Sequence, residues 1–119
     1  YNNLIYIDSG ASLSILTNND SDLNFFRNNL YFGSVNIDPN TAFQHHSSEI
    51  FVDPKLINPG SSDPNDYKLQ ADSPAIGKGI LINGSTNTSN FIQNNGGKDY
   101  FGNSVSNSEK PNIGAYNGS

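Results

Sequence analysis

The apolar positions fall in short runs separated by polar and turn-forming residues. The runs are "LIYI" (Leu4 to Ile7), "LSIL" (Leu13 to Leu16), "FF" (Phe25, Phe26), "LYF" (Leu30 to Phe32), "IFV" (Ile50 to Val52), "ILI" (Ile80 to Ile82) and "NIGAY" (Asn112 to Tyr116). Each has the length of a strand, and Ile, Leu, Phe and Tyr dominate them. Gly, Pro, Asn, Asp and Ser recur between them and break any 3.6-residue pattern. The pattern predicts an all-β chain.

Two runs repeat. "NNLIY" (Asn2 to Tyr6) and "NNLYF" (Asn28 to Phe32) align at a spacing of 26 residues. A period of that size is what stacked coils produce, each burying its apolar face on the next. Asn at one corner of successive coils has the chemistry for a side-chain amide ladder, each amide donating to the next. The chain therefore divides into coils over residues 1–57 and a turn-rich segment over 58–119, packed together as one domain. In the second part "NPGSSDPND" (Asn58 to Asp66), "GSTNTSN" (Gly84 to Asn90), "NNGG" (Asn94 to Gly97) and "SVSNSEKP" (Ser104 to Pro111) suit a segment that wraps over the coils.

Composition sharpens this picture. The 119 residues are 34% apolar and only 14% charged, with 11% aromatic. Disordered chains combine low hydrophobicity with high net charge, so this balance indicates a folded, turn-rich domain. A net charge of −5 argues against nucleic acid and anionic membrane surfaces as partners. Without cysteine there is no disulfide framework and no thiolate metal site. The start at Tyr1 reads as that of an excised domain or a C-terminal piece.

"ADSPAIGKG" (Ala71 to Gly79) suits neither helix nor hairpin. Pro74 fixes its own φ and holds Ser73 extended. Ala75 and Ile76 then point an apolar plug at the coils, while Gly77 and Gly79 allow a positive φ or close backbone approach. The open end of a β-stack exposes unpaired backbone groups, and stacked repeats need such caps.

The ordered motifs "FVDPKL" (Phe51 to Leu56), "DYKLQADSPAIGKG" (Asp66 to Gly79), "DYFGN" (Asp99 to Asn103) and "PNIGAY" (Pro111 to Tyr116) resemble the C-terminal end of right-handed parallel β-helix, pectate-lyase-like proteins. That ending runs F-x-D-P, then D-Y/F-x-L…S-P-A-I-D-x-G, D-x-x-G and D-I-G-A-Y-E. Here Gly77, Asn112 and Asn117 stand where the family has Asp, Asp and Glu, so three carboxylates are missing. The resemblance implies right-handed parallel β-helix coils closed by an irregular C-terminal capping tail. It further implies a bacterial carbohydrate-active protein, extracellular or at the cell surface, with a catalytic domain or further coils upstream.

The residues narrow the chemistry. His45 and His46 lie in "QHHSSE" (Gln44 to Glu49), which reads as a polar surface loop; Asp38, Glu49 and Asp53 are the nearest carboxylates. Two adjacent His on a strand point to opposite faces, which is poor metal-site geometry. Asp20 with Asp22 and Asp63 with Asp66 offer oxygen ligands for Ca²⁺, although Asp-rich turns more often bond their own backbone. No cofactor is expected beyond that calcium option, and no metal ligand set is singled out. Arg27 is the sole arginine, and no cluster of Lys or Arg suits a lyase.

Sugar binding fits better. Tyrosines give stacking faces, and Asn, Gln and Asp match hydroxyls. Tyr6, Phe32, Phe51 and Tyr116 are expected in the core. Tyr31, alternating with Leu30 and Phe32, is expected to face away from them, and "DYFGN" puts Tyr100 in an exposed turn. The candidate carbohydrate contacts are Tyr31, Tyr67, Tyr100, His45 and His46. The reading is a non-catalytic polysaccharide-binding module for a neutral or weakly acidic plant or algal glycan. Alternatives are the C-terminal fragment of a β-helix lyase or hydrolase with upstream catalytic residues, and a purely structural cap. The open face of the first coil is expected to promote dimers or aggregates.

Overall fold

A computed structural model describes residues 1–15, 26–37, 47–82 and 96–118. They form an all-β arrangement with one 3-10 turn and no α-helix among them. Strands β1 (Leu4–Tyr6), β3 (Leu30–Phe32) and β5 (Ile50–Phe51) make one parallel sheet in the order β1-β3-β5. Strands β2 (Ser12–Ile15) and β4 (Ser34–Ile37) make a second parallel pair.

The 26-residue repeat is the register of the first pair: Leu4 lies against Leu30, Ile5 against Tyr31 and Tyr6 against Phe32. Both residues of each Asn pair have a task, and the tasks differ. Asn2 and Asn28 adopt the left-handed conformation at φ 57° and 53°, which Asn tolerates better than other non-glycine residues. Asn3 and Asn29 build the ladder. The Asn3 backbone N–H and side-chain amide both donate to Asn29 Oδ1, at 3.0 and 2.9 Å. The Asn29 N–H and amide donate in turn to Glu49 Oε1, at 3.1 and 2.9 Å.

β4 is absent from the predicted strands. Ser34 and Asn36 interrupt its apolar residues, yet Ser12, Leu13 and Ser14 pair with Ser34, Val35 and Asn36. The second sheet keeps one wet face: Ser12, Ser14, Ser34 and Asn36 are exposed, while Leu13, Ile15 and Val35 are half-buried. "ILI" and "NIGAY" lie outside any strand, the second bending at 113–115. Leu16 and Phe25 lie outside the described residues.

The core joins Leu30 of β3 to Leu56, Leu69, Ala75 and Ile113, with Leu4, Tyr6, Phe32, Ile50, Ile76 and Tyr116 packed around them. Two of the motifs interlock to bring Leu56 and Leu69 together. Ser73 Oγ donates to the Pro54 carbonyl at 2.6 Å, Lys55 pairs with Asp72, and Gln70 N–H donates to the Lys55 carbonyl at 2.9 Å.

Chain 78–80 runs across the first sheet's turns. Asn28 Nδ2 donates to the Lys78 carbonyl and Asn2 Nδ2 to the Ile80 carbonyl, both at 2.9 Å, while Ile80 N–H returns to Asn2 Oδ1 at 2.7 Å. The two glycines of "ADSPAIGKG" divide the work. Gly77 has φ 66° in open space, whereas a Cβ on Gly79 would meet the Pro111 carbonyl oxygen at 2.7 Å. Ala75 is fully buried, and its carbonyl accepts the Ile113 N–H at 3.0 Å.

Asn112 and Asn117 both use their side-chain amide N–H groups. Asn112 Oδ1 accepts from Gly77 N–H at 2.9 Å, while its Nδ2 donates to the Tyr116 and Gly118 carbonyls at 3.1 and 3.0 Å. Asn117 Oδ1 accepts the Asn112 N–H at 2.9 Å, and its Nδ2 donates to the Ser104 carbonyl at 2.9 Å. A carboxylate has no N–H to donate in this way.

Candidate functional site

Two loops of the C-terminal half present aromatic rings to one cleft. The first is "SSDPNDY" (Ser61 to Tyr67). The Asp63 carboxylate accepts from Asn65 N–H at 2.9 Å and from its amide at 3.0 Å, and Pro64 pre-sets φ for the 3-10 turn Pro64–Tyr67. The hydrogen bond to the Asn65 backbone, followed by that to its side chain, holds the Asp63 carboxyl below its usual range. The Tyr67 hydroxyl donates to the Ser61 carbonyl at 2.8 Å, which closes the loop and fixes the ring direction.

The second loop is "DYFGN". Burial works against the charged form of Asp99, but hydrogen bonds outweigh it and the carboxyl lies below its usual range. Oδ1 accepts from Phe101 and Asn103 N–H, each at 2.8 Å; Oδ2 accepts from the Asn103 amide at 2.8 Å and Asn117 N–H at 2.6 Å. Gly102 closes the turn at φ 84°, with its N–H donating to the Asp99 carbonyl at 3.2 Å.

Phe101 joins the loops. Its ring meets Tyr100 edge-on at 5.0 Å and Tyr116 edge-on at 5.6 Å, and Lys68 Nζ sits 5.0 Å from its centroid. Between the loops lies a shallow, mainly apolar cleft of about 340 Å³, lined by Ser62, Pro64, Tyr67, Tyr100, Phe101 and Ala115. Tyr100 is 71% exposed and Tyr67 42%. The cleft thus offers two accessible phenol faces on a fixed frame, with neutral and charged polar groups around them.

Of the sequence candidates, Tyr67 and Tyr100 converge here. Tyr31 does not: it is 2% exposed, and its ring stacks on Phe51 at 5.1 Å. The strand alternation turns Tyr31 away from Leu30, but the face it enters is also covered. Burial, then a hydrogen bond to Glu49, pushes its phenol well above the ordinary tyrosine value. Phe51, expected in the core, is 52% exposed. It is the last ring of that stack, on edge strand β5, so the exposures expected for the two aromatics are exchanged. His45 and His46 lie outside the described residues.

The sequence does not single out Ser62, Pro64, Phe101 and Ala115 as cleft residues. "DYFGN" carries the signal for Phe101, since a tight turn that exposes one aromatic sends its neighbour the other way. Of the calcium options, Asp20 and Asp22 lie outside the described residues. Asp63 holds Asn65, and Asp66 Oδ2 accepts the Asn58 amide at 3.3 Å. Among the described residues no group of three or more His, Asp or Glu gathers as a metal site, and no helix is long and apolar enough to cross a membrane. Comparison of the chain with protein-family models, curated proteins and solved structures finds no match.

Proposed function

We propose that the protein is a non-catalytic polysaccharide-binding module of a bacterial extracellular or cell-surface protein, and that the Tyr67–Tyr100 cleft is its sugar contact. The convergence of two exposed tyrosines from separate loops on one apolar cleft carries this reading. Pyranose rings present C–H faces that pack on phenol rings, and the hydroxyls of Ser62 and Tyr100 in the lining suit sugar hydroxyls. The net negative charge favours a neutral or weakly acidic glycan over a polyanion.

In the same proposal the two parallel sheets are faces of successive coils of a β-helix. β1 and β2, then β3 and β4, each contribute one strand to each sheet, with all pairs parallel. Parallel crossovers are right-handed in nearly all proteins, which gives the coil its hand. Residues 58–119 act as the cap; the buried Ala75 and Ile113 and the Asn2 and Asn28 clamps onto chain 78–80 support that role.

Native gels containing neutral and weakly acidic plant and algal polysaccharides test the binding. Retarded migration without product release supports it. Unretarded migration on every glycan leaves the structural cap. New reducing ends or unsaturated-uronate absorbance replaces it with the catalytic alternative.

A further inference from the structure

We infer that the cleft is one of two sugar subsites divided by Tyr100, and that the ligand is an internal stretch of glycan chain spanning both, in place of a single terminal sugar. The inference rests on the glycan reading of the Tyr67–Tyr100 cleft and extends it to the other side of Tyr100.

Beside the first cleft lies a second space of about 250 Å³, bordered by Ile82, Lys98, Val105 and Pro111. The two spaces share only Tyr100 and Ala115, which therefore form the wall between them. A hydrogen bond ties that wall together, with Tyr100 N–H donating to the Ala115 carbonyl at 3.3 Å. A cavity of about 150 Å³ admits a benzene ring, so the second space has room for one six-membered sugar ring. Both spaces open to solvent, so a chain can enter at one and leave at the other.

The second space has the make-up of a sugar subsite. Of its polar side chains, Asp99, Asn112 and Asn117 are engaged within the fold: four N–H groups bond to the carboxylate, and both amides bond within the tail. Lys98 is exposed, and its Nζ has no ion-pair partner among the described residues. The space thus offers Ile82, Val105 and Pro111 to the C–H face of a sugar, and one ammonium to donate to its oxygens. Apolar packing with few directional polar groups is the usual composition of a small-molecule site. The frame is also built in advance. Asp99 N–H donates to the Asn103 carbonyl at 2.9 Å and Val105 N–H to the Gly97 carbonyl at 3.0 Å, so little chain has to be ordered on binding.

The probes are size-fractionated oligosaccharides, from single units to hexamers, made by partial acid hydrolysis of the polysaccharide that retards the wild type. Calorimetric titration of the full chain reads affinity against length, and circular dichroism checks that each variant folds. Affinity should climb at least about tenfold from the single unit to the longer oligomers, as contacts in the second space are added. Val105→Phe fills that space and should hold the climb to about threefold or less. Lys98→Ala, at an exposed position, should weaken the longer oligomers about threefold through loss of one charged donor, and it serves if Val105→Phe does not fold. Equal affinity at every length, or folded variants that keep the wild-type climb, overturns the second subsite and leaves the single-cleft glycan reading standing. A wild type that no polysaccharide retards overturns both.

Discussion

Asn29 Oδ1 accepts the side-chain amide of Asn3 at 2.9 Å, across a sequence separation of 26 residues. That bond fixes the register of β1 on β3, and Asn29 is nearly fully buried.

Asn29→Ala removes both the acceptor for Asn3 and the donor to Glu49. Urea unfolding should show a loss of about 2–3 kcal/mol, from unpaired polar groups at a buried position. Asn29→Asp should cost more at pH 7, where a second carboxylate faces Glu49.

Gly79 and Gly77 should respond differently to alanine. Gly79→Ala drives a methyl against the Pro111 carbonyl and ring, at 2.7 and 2.9 Å. The chain 78–80 must shift, at about 2–3 kcal/mol. Gly77→Ala meets open space and bears only the positive-φ strain, about 1 kcal/mol. Equal losses in denaturant titrations would refute the division of roles between them.

Asp99 makes stability depend on acid pH. Its folded carboxyl lies below the unfolded value, so its contribution is fully present above the unfolded value and is lost as pH falls through the folded one. The slope of melting temperature against pH on the acid side should therefore flatten in Asp99→Asn. That variant should also be less stable at pH 7 by about 2 kcal/mol, because four N–H donors lose a charged acceptor that is only partly shielded from water.

Tyr31 acts at the alkaline end. Its folded phenol titrates above the unfolded value, so its contribution is complete below the unfolded value and lost as pH rises through the folded one. Ultraviolet titration should show one tyrosine ionising only as the chain unfolds, and Tyr31→Phe should remove that phase.

The parallel register was legible because Asn and Leu repeat together: the amide needs its partner at the same corner, and the leucine needs the same inner face. The ring pairs were legible only in part. Tyr31 and Phe51 sit on one face, and which is covered depends on the order of strands in the sheet, which the alternation of residues does not encode. β4 escaped because a strand with one wet face needs only every second residue apolar. The cleft was half legible: "DYFGN" declares an exposed Tyr100. Its meeting with Tyr67 arises from tertiary packing through Phe101 and Ala115, residues that look like ordinary core in the sequence.

The central claim is that a glycan packs on the Tyr67 and Tyr100 rings. Affinity electrophoresis of the wild type beside Tyr67→Ala/Tyr100→Ala tests it most directly, with circular dichroism confirming that the variant folds. Loss of two ring contacts should weaken retardation at least about tenfold on the glycan that retards the wild type. Undiminished retardation of the folded double variant, or a wild type that no polysaccharide retards, contradicts it.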